Sequence, residues 1–139
     1  MNPSPPSRGP DALGDLIGIE HLESGDGTAR ARVEVTDRIL QPQGLVHGGI
    51  YPVLAEAMCS RATLRAVAGE GKAALGQSNN ATFLRPISEG YVNAAADARH
   101  RGRSGWVWQV EITDDQGRLC ALVQVTVAVR ERPSRGTGS

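Results

Sequence analysis

The sequence predicts an α+β domain in which one antiparallel sheet packs against one long helix. Two observations carry this. Residues 50–68 are a run without glycine and rich in helix formers. Everything after Gly71 reads as strand, joined mostly by tight turns. The order is then strand, long helix, four strands. A single helix laid on one sheet face is the simplest way to bury both apolar surfaces. The chain of 139 residues fits one domain and one real core. Its expected limits are residues 11–132.

Residues 11–19 read as a short helix leading into a first strand. From Gly27 the pattern alternates: Ala29, Ala31, Val33 and Val35 point one way and Arg30, Arg32, Glu34 and Thr36 the other, as in a half-buried strand. A turn-rich stretch from Asp37 to Gly49 follows, punctuated by Pro42, Gly44, Gly48 and Gly49. In the helix over 50–68, Pro52 is tolerated because it falls in the first turn, and Gly69 and Gly71 end it. Apolar residues occupy most of its circumference, which predicts a helix wrapped by other structure. Arg61 and Arg65 share one side; Glu56, Ser60 and Thr63 share another.

Strands are predicted over 73–85, 91–100, 106–112 and 118–130. Trp106, Trp108, Val110 and Ile112 share a face, which places both tryptophans in the core or at a subunit boundary. Asp114-Asp115-Gln116-Gly117 is a hairpin signal. In the last strand Leu119, Ala121, Val123, Val125, Val127 and Val129 form one face.

Lys plus Arg and Asp plus Glu number 15 each, so the formal charge is zero and nothing asks for nucleic acid or an anionic membrane. The five aromatics are too few for a base-stacking surface. Cys59 and Cys120 form no CxxC pair and no metal-ligand spacing, and read as buried small side chains in a reducing compartment. No metal and no cofactor are expected. No apolar run is long enough to span a bilayer. Residues 1–10 and 133–139 read as disordered tails, the first lacking the apolar core of a signal peptide. A cytoplasmic location is expected.

The segment Gln41-Pro-Gln-Gly-Leu-Val-His47-Gly48-Gly49-Ile50-Tyr-Pro-Val-Leu-Ala-Glu56-Ala-Met-Cys-Ser60 carries the chemistry. A glycine turn enters a helix, whose N-terminus offers free N–H groups to a developing negative charge. One carboxylate then sits inside an apolar helix, which is costly unless paired or used. A salt bridge is the structural alternative, but the residue four on from Glu56 is Ser60, and Arg61 and Arg65 lie on another side. The pattern suits attack on a carbonyl. Gly48 is the candidate oxyanion donor through its N–H, although the two glycines also serve simply to make the turn.

With Asn79-Asn80-Ala-Thr-Phe83-Leu84-Arg85-Pro86, this segment resembles hotdog-fold acyl-CoA thioesterases, closest to the branch holding phenylacetate-pathway thioesterases and the Arthrobacter-type 4-hydroxybenzoyl-CoA thioesterase. The likeness spans roughly residues 27–130. It implies a hotdog fold, a sheet curled around the central helix, used as a dimer or tetramer with acyl-CoA as substrate. It implies that Glu56 is the catalytic carboxylate, as nucleophile or as general base, and that Gln41 helps polarise the thioester. Ser60 would hold the carboxylate or a water, and His47 would orient rather than act as base. It maps Gly76, Phe83, Leu84, Arg85 and Pro86, and the turn His100-Arg101-Gly102-Arg103-Ser104-Gly105, onto the CoA channel. That turn also reads as a plain solvated hairpin loop.

Gly48 and Glu56 are eight residues apart, about 12 Å along one helix. The Glu side chain leans back toward the N-terminus without closing that gap. The two are therefore expected to meet one carbonyl only across a subunit boundary, with Gly48 of one chain facing Glu56 of another. Two other readings remain: a non-catalytic acyl-CoA-binding module, and a hotdog hydratase or dehydratase, which needs a paired Asp and His at the helix start that this chain lacks.

Overall fold

The computed structural model describes residues 11–132; both expected tails lie outside them. The elements are α1 (Ala12–Ile17), β1 (Ile19–Gly25), β2 (Thr28–Glu34), α2 (Ile50–Val67), β3 (Lys72–Phe83), β4 (Tyr91–Arg101), β5 (Gly105–Thr113) and β6 (Leu119–Glu131). The six strands form one antiparallel sheet in the order β1-β2-β4-β5-β6-β3, and α2 packs along it. One more strand is present than the sequence predicted. Residues 19–25 pair with β2 through a register shift between His21 and Ser24, and that bulge spoils the alternation by which a strand is read.

α1 is capped by the Asp11 side chain, which accepts from the Gly14 N–H at 3.1 Å, and it stops at Gly18 in the left-handed region at φ 87°. α2 ends one residue short of its expected limit; a 3₁₀ turn at Ala68–Glu70 follows, closed by Gly71 at φ 74°.

The core lies between α2 and the inner face of the sheet. Ala29, Ala31, Val33, Val92, Ala94 and Ala96 put a small-residue floor under the helix, and Val110, Val123, Val125 and Val127 fill the centre. Trp106 and Trp108 are both core residues, stacked at 5.8 Å. The Trp108 indole N–H donates to Thr63 Oγ1 at 2.9 Å, and that hydroxyl donates to the Cys59 carbonyl at 2.8 Å, a buried relay that ties sheet to helix. Thr63 is thus the buried end of the side it shares with Glu56 and Ser60. Leu119 lies outside the inner face of β6; the register shifts between Ile112 and Thr113, and Cys120 and Ala121 are both buried after it. Both cysteines are free and buried, and burial pushes both thiols up, so they stay protonated.

The curved sheet wraps the long central helix α2 as expected, and within one chain it does so on one side. Only the face carrying Tyr51, Leu54, Ala55, Met58 and Cys59 is buried. Val53, Glu56, Ala57, Ser60 and Leu64 form a partly or fully exposed stripe. β3 pairs with β6 on one side alone, and Leu75 and Phe83 on it are 63% and 57% exposed. No helix among the described residues is long and apolar enough to cross a membrane.

Candidate functional site

The glycine turn is assembled by backbone bonds. The Gly44 N–H donates to Gln41 O, and the Gln41 N–H to Leu45 O. The Val46 N–H then donates to Ile87 O, and the His47 N–H to Ile39 O. These fix the direction from which the chain enters α2. Beyond them, the N–H groups of Gly48 and Gly49 donate to no acceptor among the described residues. Pro52 has no N–H to offer. The start of α2 therefore presents two free donors, as an oxyanion site requires.

α2 lies antiparallel to β3, and three contacts mark their register. At the helix start, a Cβ built on Gly48 would stand 2.8 Å from the Phe83 ring. One turn on, the Asn79 side-chain amide donates to the Pro52 carbonyl at 3.0 Å. Another turn on, a Cβ built on Gly76 would stand 2.6 Å from the Glu56 carboxylate. Pro52 matters here twice over. Carbonyls near a helix start normally bond to an N–H four residues on, and Asn79 adds a tie from the strand. Tyr51 lies under this region, its ring 5.7 Å from that of Phe83. Burial, foremost, raises its phenol above the ordinary value, so it stays neutral.

Glu56 is exposed and makes no ion pair among the described residues. The salt-bridge alternative therefore has no support among the described residues. Ser60 Oγ, one turn further, is buried without a hydrogen-bond partner among those residues. A buried hydroxyl left unpaired is costly, so a bound group that pairs with it is favoured. His47 and Gln41 flank the turn, the first exposed and the second half-buried.

The sheet register separates the expected site residues into two groups. Gly76 pairs with Val127, and Val127 with Trp106, beside the basic turn. Phe83 pairs with Ala121, and Ala121 with Ile112, at the opposite end. Gly76 and Phe83 are seven residues apart, about 20 Å along a strand. One end thus holds Glu56, Gly76 and the turn His100–Gly105. The other holds Gly48, Phe83 and the following Leu84, Arg85 and Pro86, where the Leu84 and Arg85 N–H groups both donate to Cys120 O. A single chain does not bring the two groups together.

The arginines of the basic turn are not equivalent. Arg101 pairs with Asp26 in the β1–β2 turn and stands 5.7 Å over Trp106. The Arg130 guanidinium donates to Ser104 O at 2.8 Å and to Val129 O at 3.0 Å, holding the turn from β6. His100 lies against Gly102, whose N–H donates to Gly105 O. Arg103 is exposed and in no ion pair among the described residues. It shares a shallow groove with Lys72, Arg130 and a single acid, Glu131. Sequence reasoning missed the roles of Asn79, Arg130 and Lys72. The first stood in the quoted motif without a partner; the others come near the turn only through β3–β6 pairing.

The family model for the thioesterase superfamily matches residues 43–121. The 1,4-dihydroxy-2-naphthoyl-CoA hydrolase of Escherichia coli is 39% identical over 121 residues, covering 84% of this chain and 87% of that protein. A thioesterase of Pseudomonas aeruginosa superposes with a TM-score of 0.81 at 36% identity, covering 85% of each chain. A thioesterase of Staphylococcus aureus superposes with a TM-score of 0.82 at 29% identity, covering 86% of this chain and 99% of that one.

Proposed function

The chain belongs to the thioesterase superfamily, and from that premise we propose that it hydrolyses an acyl-CoA to the free acid and CoA at a site built from two subunits. The observation that carries the reading is the pairing of two free N–H groups at the start of α2 with an unpaired carboxylate in the same helix. Gly48 supplies the oxyanion N–H, and Glu56 attacks the carbonyl or activates water. Gln41 polarises the thioester, Ser60 holds the carboxylate or water, and His47 orients the turn. The relatives support the two polar roles. The staphylococcal protein has been crystallised with a glutamine and, separately, with a glutamate replaced by alanine; those positions are fifteen residues apart, the spacing of Gln41 and Glu56.

The second subunit docks along the free edge of β3. A strand of twelve residues with an open edge and exposed Leu75 and Phe83 is a pairing surface, and no other strand among the described residues covers it. Such docking also covers the exposed stripe of α2. It brings the Gly48–Phe83 end of one chain toward the Glu56–Gly76 end of the other. The minimal unit is then a dimer, and the resemblance extends this to a tetramer.

The acyl group is an aromatic acid of the hydroxylated kind, as the name of the Escherichia coli relative suggests, and the chain falls in the phenylacetate-pathway and Arthrobacter-type branch. A panel of aromatic and aliphatic acyl-CoAs, read by thiol release, tests both points. Hydroxyaroyl-CoA is expected to give the highest kcat/KM. Preference for medium-chain aliphatic substrates overturns the aromatic assignment, and no thiol release from any member overturns the enzyme.

Arg103 is the phosphate contact of the basic turn, and Arg101 and Arg130 hold it in shape. Replacing Arg103 by alanine is expected to raise KM for acyl-CoA by about tenfold, the loss of one charge-assisted hydrogen bond. An acyl-pantetheine, which lacks the nucleotide, is expected to be turned over equally by both proteins. Arg101→Ala is expected to lower Tm instead. Equal KM effects on both substrates contradict this division.

A further inference from the structure

We infer that Gly76 is a positioning residue for Glu56: its missing Cβ is the seat on which the carboxylate rests. The inference rests on Glu56 being the reacting carboxylate, and it gives Gly76 a role other than contact with CoA.

The geometry is specific. A Cβ at position 76 would come within 2.6 Å of Glu56 Oε2, 2.9 Å of its Cδ and 3.2 Å of its Cγ. Separations below 3.0 Å are not tolerated, so one partner has to move. β3 at this point is held by its pairing with β6, Gly76 opposite Val127. The Glu side chain is exposed and tethered by no ion pair among the described residues. The carboxylate is therefore what gives way, while the fold stays.

The local backbone makes this a built feature. The β3–β6 register shifts between Gly76 and Ser78, leaving Gln77 as the extra residue of a β-bulge. Bulges bend a strand and re-aim what lies beside them. Glycine inside a strand weakens it and marks a close approach of another group. Here that group is the carboxylate. On the far side of the bulge, Asn79 ties the same strand to the Pro52 carbonyl. The distance between the tie and the seat fixes how far along β3 the Glu56 side chain reaches.

Gly76→Ala tests this in a Glu56-dependent enzyme. The expected result is a fall in kcat of about 10²-fold, the cost of roughly an ångström of misplacement, with KM for acyl-CoA and the oligomeric state unchanged. Glu56→Asp, whose shorter side chain clears an added methyl, is expected to cost less in the Gly76→Ala background than in the wild type. That non-additivity reports direct contact. A wild-type kcat in Gly76→Ala overturns the inference. So does a raised KM at constant kcat, which assigns Gly76 to CoA, and so does strict additivity with Glu56→Asp. Melting temperature guards against a folding artefact: Gly76→Ala is expected to leave Tm unchanged in the Glu56→Ala background, where no carboxylate is met. An equal drop in Tm with and without the carboxylate places the clash elsewhere and also overturns it. If hydrolysis proves independent of Glu56, the functional reading fails first, and that result is separate from any of these.

Discussion

Glu56→Ala is expected to lower the rate of thiol release by about 10²–10⁴-fold, the range for removal of a positioned acid–base or nucleophilic group. The fold should not change. Glu56 is exposed, in no ion pair among the described residues, and its carboxylate lies beside the open face of Gly76 on β3. Tm is expected to stay within about 2 °C of wild type, since surface substitutions usually fall within about 0.5 kcal/mol. Acyl-CoA should still bind. This combination, binding kept and chemistry lost, separates an enzyme from an acyl-CoA-binding module, in which Glu56→Ala would change neither. Glu56→Asp keeps the charge and shortens the reach, so an intermediate rate is expected.

Trp108→Ala is expected to have the largest effect on stability, about 3–5 kcal/mol, as for other buried aromatic truncations. Trp108 is 1% exposed and stacked on Trp106. Its loss opens a cavity beneath α2 and removes the N–H that serves Thr63. At roughly 2–4 °C per kcal/mol for a chain near this size, Tm falls by about 6–20 °C. Trp108→Phe should cost less, because most of the volume remains and only the indole bond is lost, about 1–2 kcal/mol. Thermal melts of the three proteins check the order. Below its Tm, Trp108→Phe should keep its kcat, since Thr63, about two turns away from Glu56, bonds to Trp108 and the Cys59 carbonyl.

Much of this was legible in the sequence because the relevant patterns are local. The period-two runs of β2, β5 and β6 set the sheet face, and the glycine turn before an unbroken helix set α2. The Asp114–Gly117 turn set the β5–β6 hairpin. β1 was not legible as a strand of its own, because a bulge breaks its alternation and its residues are mostly exposed. Leu119 was misplaced because a register shift at the start of β6 puts both Cys120 and Ala121 inside. The wrapping of α2 was legible, but not its extent within one chain. Apolar residues around all of α2 report burial without saying by which chain, and one chain covers only one face. The candidate residues were found by type and spacing, but their division between the two ends of the sheet was not. That depends on β3 pairing with β6, a long-range contact that no local pattern encodes. The unequal duties of Arg101, Arg103 and Arg130 follow from the same pairing.

The proposal of a site shared between subunits is tested most directly by mixing two inactive variants. Glu56→Ala removes the carboxylate, and Gly48→Pro deletes the backbone N–H at the helix start. Each alone is expected to be at least about 10²-fold slower than wild type. When the two are unfolded together and reassembled, about half of the dimers are hybrids. Each hybrid has one site carrying both defects and one carrying neither. The mixture is then expected to recover about a quarter of wild-type activity, with wild-type KM. If Gly48 and Glu56 instead serve one carbonyl from the same chain, every site keeps a defect. A mixture no more active than its two components would contradict the account.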